Sequence, residues 1–203
     1  MIRGIQFQAH VMIGRTANLL IIGARKINNQ YNTQSWVNPS VIINESSIDG
    51  QGGFARELIK KDEIVVILGG VVFTDTEFEA FIATAIQWDA VQIDENLHLV
   101  DLSPNPRATN GSLNHSCDSN LWMKDEITII ARRDIVPGEE LTIDYALFSA
   151  QPHWVLDRLC QCGSPLCRHT ITGNDWQIAA VQKRYKDHFS PFINERIAKL
   201  STS

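Results

Sequence analysis

The 203-residue sequence has no long apolar run. The longest one near its start, Leu19-Leu20-Ile21-Ile22-Gly23-Ala24, is far short of the roughly 20 residues that a membrane-crossing helix needs. Arg15 and Asn18 interrupt the stretch, which argues against a secretory signal peptide and for a reducing, cytoplasmic setting, with a nucleus or a host cell as the alternatives. Internal repeats and a collagen-like period are also missing, and 44% hydrophobic with 20% charged residues shows no disordered bias. One main domain with an appendage is expected at this length.

Acids are absent from residues 1–44, which hold Arg3, Arg15, Arg25 and Lys26. The remainder carries 14 basic against 23 acidic groups, an acidic body inside a formal net charge of −5. Non-specific nucleic-acid binding needs Lys and Arg to neutralise phosphates, so this balance argues against it and suits a basic partner. Taken alone, the charge balance is explained more simply by solubility.

What is present reads as many short strands. Residues 1–36 lack clean periodicity and form an irregular leader. From Val41 the β-branched runs VIIN and EIVVILGGVVF alternate with the Gly-containing turn SSIDGQGGFA. Thr74-Asp75-Thr76-Glu77 before FEAFIATAIQW predicts a helix closed by a capping box from Thr74 to Glu77. Val91-Gln92-Ile93 and Leu97-His98-Leu99-Val100 predict a hairpin around Asp94-Glu95-Asn96. Two further strands are expected at residues 121–123 and 127–130, a last one at 141–145, and helices around Trp176–Tyr185 and at 192–200. The fold class is mainly β with helical insertions and a helical tail.

Cysteine is scarce, at four residues, and three of them form Cys160-Gln161-Cys162-Gly163-Ser164-Pro165-Leu166-Cys167. Cysteines one residue apart in an extended chain point to opposite sides, so a mutual disulfide is disfavoured, while the Gly163–Pro165 turn can fold the thiolates onto one ion. A structural zinc site takes four ligands. Cys117 in NHSCDSN is the one cysteine left, His169 and His153 are the nearby alternatives, and buried free thiols without metal are the bland reading.

NHSCDSN, GEELTIDYA (residues 138–146) and CQCGSPLC, preceded by Gly50-Gln51-Gly52-Gly53-Phe54-Ala55, resemble in order the signature motifs of SET-domain protein-lysine methyltransferases with a post-SET zinc segment, and the tail ITGNDWQIAAVQKRYKDHFSPFINERI resembles the C-terminal extension of short stand-alone bacterial members. The resemblance covers roughly residues 40–170. It implies a β-clip SET fold over 37–150, a post-SET zinc-binding segment at 151–173 and a helical C-terminal tail at 174–203. It further implies S-adenosylmethionine bound by Gly50, Gln51, Gly52, Asn114, His115 and Tyr145, with Tyr145 catalytic, and a structural zinc on Cys117, Cys160, Cys162 and Cys167. The implied substrate is a lysine-containing protein or peptide, basic in character, with no direct role for nucleic acid or membrane.

The chemistry suits those residue types. Methyl transfer from a sulfonium to an amine is an in-line displacement, so the main task is to aim a deprotonated lysine. A lysine has a pKa of about 10.4, and confinement in an apolar channel beside a cation lowers it. Tyrosine is scarce too. With Tyr31 and Tyr185 expected outside the core, Tyr145 has no second tyrosine beside it, and Trp88, Trp122 or Phe148 are left to shape the channel. Gly111-Ser112 and Ile143 stand where the family often has larger aromatic residues. Ile143 bears on how many methyl groups are added, whereas the missing second tyrosine and Gly111-Ser112 favour a rival reading, a SET-like protein-interaction module without turnover.

Overall fold

The computed structural model describes residues 31–86, 88–105 and 111–200; residues 1–30 of the expected leader lie outside them. The strands are β1 (Trp36–Val37), β2 (Val41–Glu45), β3 (Gln51–Ala55), β4 (Ile64–Ile67), β5 (Val71–Thr74), β6 (Asp89–Asp94), β7 (Leu97–Asp101), β8 (Asn114–His115), β9 (Leu121–Met123), β10 (Thr128–Ala131) and β11 (Glu140–Ile143). The α-helices are α1 (Asp75–Ile82), α2 (Ala179–Arg184) and α3 (Pro191–Leu200), with 3-10 turns at Tyr145–Leu147 and Asp175–Gln177. The architecture is mainly β, as expected, in three small sheets ordered β1-β4-β10-β9, β2-β3-β11-β8 and β5-β7-β6.

Local chemistry explains most boundaries. Thr74 caps α1 by accepting from the Glu77 N–H, and Glu77 Oε2 accepts from the Thr74 N–H at 2.8 Å, completing the expected capping box. The helix stops at Ile82, short of the expected FEAFIATAIQW. Phe78 is its one buried residue, and Ile86 is 99% exposed, so no packing rewards another turn. The hairpin of β6 and β7 forms as expected, with Val91 opposite Leu99. The last strand ends at Ile143, before Tyr145, because the Asp144 carboxylate accepts the Ala146 N–H and starts a 3-10 turn instead.

In the second sheet β11 pairs antiparallel with β3 on one side and parallel with β8 on the other, Thr142 facing Asn114 and Ile143 facing His115. That pairing sets NHSC beside the strand that runs into Tyr145. The core under the sheets includes Val66, Leu121, Met123, Leu141, Ile143 and Leu147, and also Trp176, Val181, Tyr185, Phe189, Phe192 and Ile193 from the tail. Tyr185 was expected outside the core. It is fully buried, with its hydroxyl beside Ser119 N at 3.1 Å and Ser119 Oγ at 3.1 Å, because the turn after α2 brings it back under the loop that follows β8.

Gly53 shows how closely β3 approaches that loop. Its N–H donates to Ser112 O at 3.0 Å, and a Cβ at this position would run into the Gly111 carbonyl oxygen. A backbone obstacle cannot rotate away. Gly53→Ala should therefore lower stability by about 1–3 kcal/mol, read as a lower urea midpoint at unchanged m-value; an unchanged midpoint would mean that the 111–112 segment yields freely.

Candidate active site and cysteine cluster

Asn114 begins the site. Its Nδ2 lies 3.1 Å from Asp49 O, 3.2 Å from Gln51 O and 2.8 Å from Glu140 Oε1, so this buried amide holds the 49–51 turn against β11. Gly50 takes a φ of +47°, which the turn requires. A Cβ on Gly52 would collide with Glu140 Oε1, the oxygen that also accepts from Ser46 Oγ at 2.7 Å. Gly52 thus keeps room for Glu140. Gly50 and Gln51 are exposed, and the residues of this stretch that wall the adjoining recess are Ile48 and Asp49.

His115 follows on the other face of β8. Its Nδ1 accepts the Tyr145 N–H at 3.2 Å, which assigns the ring proton to Nε2, 3.3 Å from Cys117 Sγ. Burial holds its pKa down at about 4, with Asp144 pulling upward and Arg168 further down, so the imidazole is neutral at physiological pH. Its ring also stands edge-on to that of Tyr145, centroids 5.0 Å apart. One small side chain therefore touches both Tyr145 and Cys117.

Tyr145 points its hydroxyl at Leu113 O, 3.4 Å away. It lines a cleft of about 560 Å³ with Phe78, Trp88, Ile143, Phe148 and Trp154. On its other side is the small recess formed by Asn114, His115, Cys160 and Gln161. Asp49, Tyr145, Leu156 and Arg158 belong to both, and an ion pair between Asp49 and Arg158 (2.5 Å) crosses between them. Asp89, Asp101 and Asp157 add negative charge to the large cleft. Of the aromatic residues expected to shape it, Trp88 and Phe148 line the cleft; Trp122 lies elsewhere, stacked on His188 at 3.4 Å. Trp154 was not anticipated, since a lone Trp in a loop before CQC has no periodicity to give it a place.

The Sγ atoms of Cys117, Cys160, Cys162 and Cys167 all lie within 4.8 Å of one another. A tetrahedral zinc with Zn–S bonds of about 2.3 Å spaces its sulfurs by roughly 3.8 Å, so the set is sized for such an ion. Backbone N–H groups of Arg168 and His169 donate to Cys117 Sγ (3.3 Å) and Cys167 Sγ (3.4 Å), the pattern that supports thiolates. Burial pushes the Cys117 thiol up to about 12 and Cys160 up as well, while at Cys162 the amides of Cys117 and Ser164 outweigh burial and bring it down to about 7. A dication would favour the thiolate at the first two. Among the described residues His153 is not part of this group, and His169 Nδ1 stands 4.0 Å from Cys167 Sγ without joining it.

Three contributors carried no signal of their own in the sequence. Glu140 and Asp144 hide inside GEELTIDYA as ordinary acids, and Arg168 is a single base after the last cysteine. Only their buried partners reveal them.

Comparison with known proteins agrees with this arrangement. Residues 50–146 match the model of the SET domain. The chain is 33% identical over 134 residues to Histone-lysine N-methyltransferase trithorax of Drosophila virilis, covering 61% of this chain and 3% of that protein. It is 32% identical over 135 residues to Histone-lysine N-methyltransferase, H3 lysine-4 specific, of Schizosaccharomyces pombe, covering 61% and 14%. Among solved structures, the methyltransferase domain of human Histone-lysine N-methyltransferase SETMAR gives a TM-score of 0.49 at 23% identity, over 66% of this chain and 58% of that one. The matches to the two curated relatives thus take up a small part of their length. Residues 50–146 thus resemble a SET domain, in a chain that is similar over that region to histone-lysine methyltransferases and whose four cysteines gather against the loop after β8.

Proposed function

We propose that the protein is an S-adenosylmethionine-dependent protein-lysine N-methyltransferase in which Tyr145 is the catalytic residue and a zinc ion on Cys117, Cys160, Cys162 and Cys167 is structural. The observation that carries this reading is the position of Tyr145, shared by a large aromatic cleft and a small polar recess beside Asn114 and His115. A two-substrate displacement needs such a meeting point. The cofactor supplies an electrophilic methyl group when bound. Asn114 and His115, with the main chain of Gly50, Gln51 and Gly52 held against Asn114, form the proposed cradle for it.

The cleft would take the substrate lysine. Phe78, Trp88, Phe148 and Trp154 give it apolar walls, which penalise the ammonium form and favour the neutral amine that must attack. The lysine would give its proton to solvent before attack, and the cleft would hold the neutral amine in line with the methyl group that the cofactor would supply. Tyr145, fixed at its backbone by His115 Nδ1 and at its hydroxyl by Leu113 O, is placed to orient the amine. The acidic residues Asp49, Asp89, Asp101 and Asp157 suit a basic protein or peptide. One observation favours the rival module without turnover: Tyr145 is the sole tyrosine lining the cleft among the described residues.

Two experiments test the proposal. Purified protein should transfer labelled methyl from S-adenosylmethionine to lysine in a basic protein, and Tyr145→Phe should lower kcat by about 100-fold or more at an unchanged melting temperature. Cofactor binding without transfer across a broad peptide panel would favour the rival, and no cofactor binding by calorimetry would sink the enzyme reading. For the metal, Cys117→Ser should reduce bound zinc well below about one ion per chain and lower cofactor affinity, because the same loop carries Asn114 and His115. Full zinc content and full affinity in that variant would remove Cys117 from the ligand set.

A further inference from the structure

Asp144, the residue ahead of Tyr145, is 0% exposed. A carboxylate in such a place persists only when its charge is compensated and its oxygens are hydrogen-bonded. Arg168 does both. Its Nη1 and Nη2 donate to Asp144 Oδ2 and Oδ1 at 2.7 Å each, in the forked geometry that makes the strongest of such pairs. The third nitrogen, Nε, donates to Asp175 Oδ2 at 2.7 Å, and Asp175 Oδ1 in turn accepts from Thr172 Oγ1 at 2.8 Å. Burial disfavours the guanidinium charge, but the Asp144 contacts outweigh it and hold the arginine above its ordinary pKa.

The two ends of this residue touch different parts of the site. By its backbone, Arg168 follows Cys167 and donates to Cys117 Sγ at 3.3 Å. By its side chain it grips Asp144, whose Oδ1 also accepts the Ala146 N–H at 3.1 Å and so caps the 3-10 turn that presents Tyr145. Asp144 Oδ1 lies 3.9 Å from His115 Nδ1 as well, the atom that accepts the Tyr145 N–H. The acceptor of the Tyr145 N–H and the cap of the turn that carries Tyr145 thus both lie within reach of the Asp144–Arg168 pair.

We propose that Arg168 is a positioning residue that makes the placement of Tyr145 depend on the assembled cysteine cluster. The proposal rests on the catalytic reading of Tyr145 given above. With the four cysteines gathered, Arg168 is carried to Asp144 and the Tyr145 turn is held; with the segment undocked, Asp144 is left as an uncompensated buried charge and the turn must rearrange. Lysine cannot reproduce the fork, since its ammonium is a point charge on a flexible stem. The contact with Asp175 adds the C-terminal tail to the same junction.

The test uses the full-length, zinc-loaded protein and the variants Arg168→Gln, Arg168→Lys and Arg168→Gln with Asp144→Asn. The sequence has 3 tyrosines, so ring-13C-tyrosine labelling yields a spectrum simple enough for Tyr145 to be assigned through Tyr145→Phe. In Arg168→Gln the Tyr145 signal should shift or broaden while that of Tyr31 stays, zinc content should hold, and kcat should fall about tenfold or more with the peptide KM little changed. Arg168→Lys should recover part of kcat. The double variant removes the orphaned charge at Asp144, while Asp175 keeps its bonds to Thr172, so it should regain part of the lost melting temperature without regaining kcat or the Tyr145 signal, which separates positioning from stability. An unmoved Tyr145 signal in Arg168→Gln, or a double variant that regains kcat together with its stability, would overturn the proposal. Should Arg168→Gln fail to fold, the lysine and double variants carry the same comparison. A wild-type protein that transfers no methyl group overturns the functional reading instead, and the tyrosine spectrum still decides the role of Arg168.

Discussion

The parallel pairing of Asn114–His115 with Thr142–Ile143 is the contact on which the rest of the site depends. Two residues of parallel ladder are weak by themselves, and the register is secured by side chains. Asn120 accepts from the Thr142 N–H and donates to Glu140 O, while Asn114 reaches Glu140 Oε1 from the neighbouring strand. A slip of one residue would turn His115 away from Tyr145 and Cys117 together. The glycines of β3 contribute by absence, since Gly53 lets the 111–112 segment lie directly on that strand.

Around this pairing the protein buries several polar groups. Asn114, His115, Asp144 and Asp175 are each nearly inaccessible, and each has a partner with good geometry. In a low-dielectric setting such groups are costly singly and rigid collectively. The same setting raises the thiols of Cys117 and Cys160, which a bound cation would reverse. Polar satisfaction and metal binding are therefore two expressions of one constraint.

The C-terminal segment belongs to this arrangement. Trp176, Val181, Tyr185, Phe189, Phe192 and Ile193 share the core with the strands, and Arg184 donates to Cys117 O at 2.5 Å. Tyr185 meets the same carbonyl and the Ser119 backbone from below. β8 and the loop after it are thus pinned by β11, by the cysteine segment and by the tail, which leaves Asn114 and His115 little freedom.

Much of this was legible in the residues themselves. Short β-branched runs between glycine turns marked the strands, Thr74 and Glu77 marked the helix start, and the ordered motifs with their four cysteines marked the resemblance to SET domains and the candidate ligands. Those features are local or carried by spacing, so a linear reading can hold them. The burial of Tyr185, the early end of α1, the entry of Trp154 into the cleft and the absence of Trp122 from it could not be read that way, because each depends on which distant element supplies packing. The same holds for Arg168 and Asp144, 24 positions apart. The sequence by itself determined the candidate chemistry, through residue types that few other arrangements would use together. Only the tertiary structure decided which buried charges face each other, because the cost of desolvating a charge exists only once the chain has closed around it.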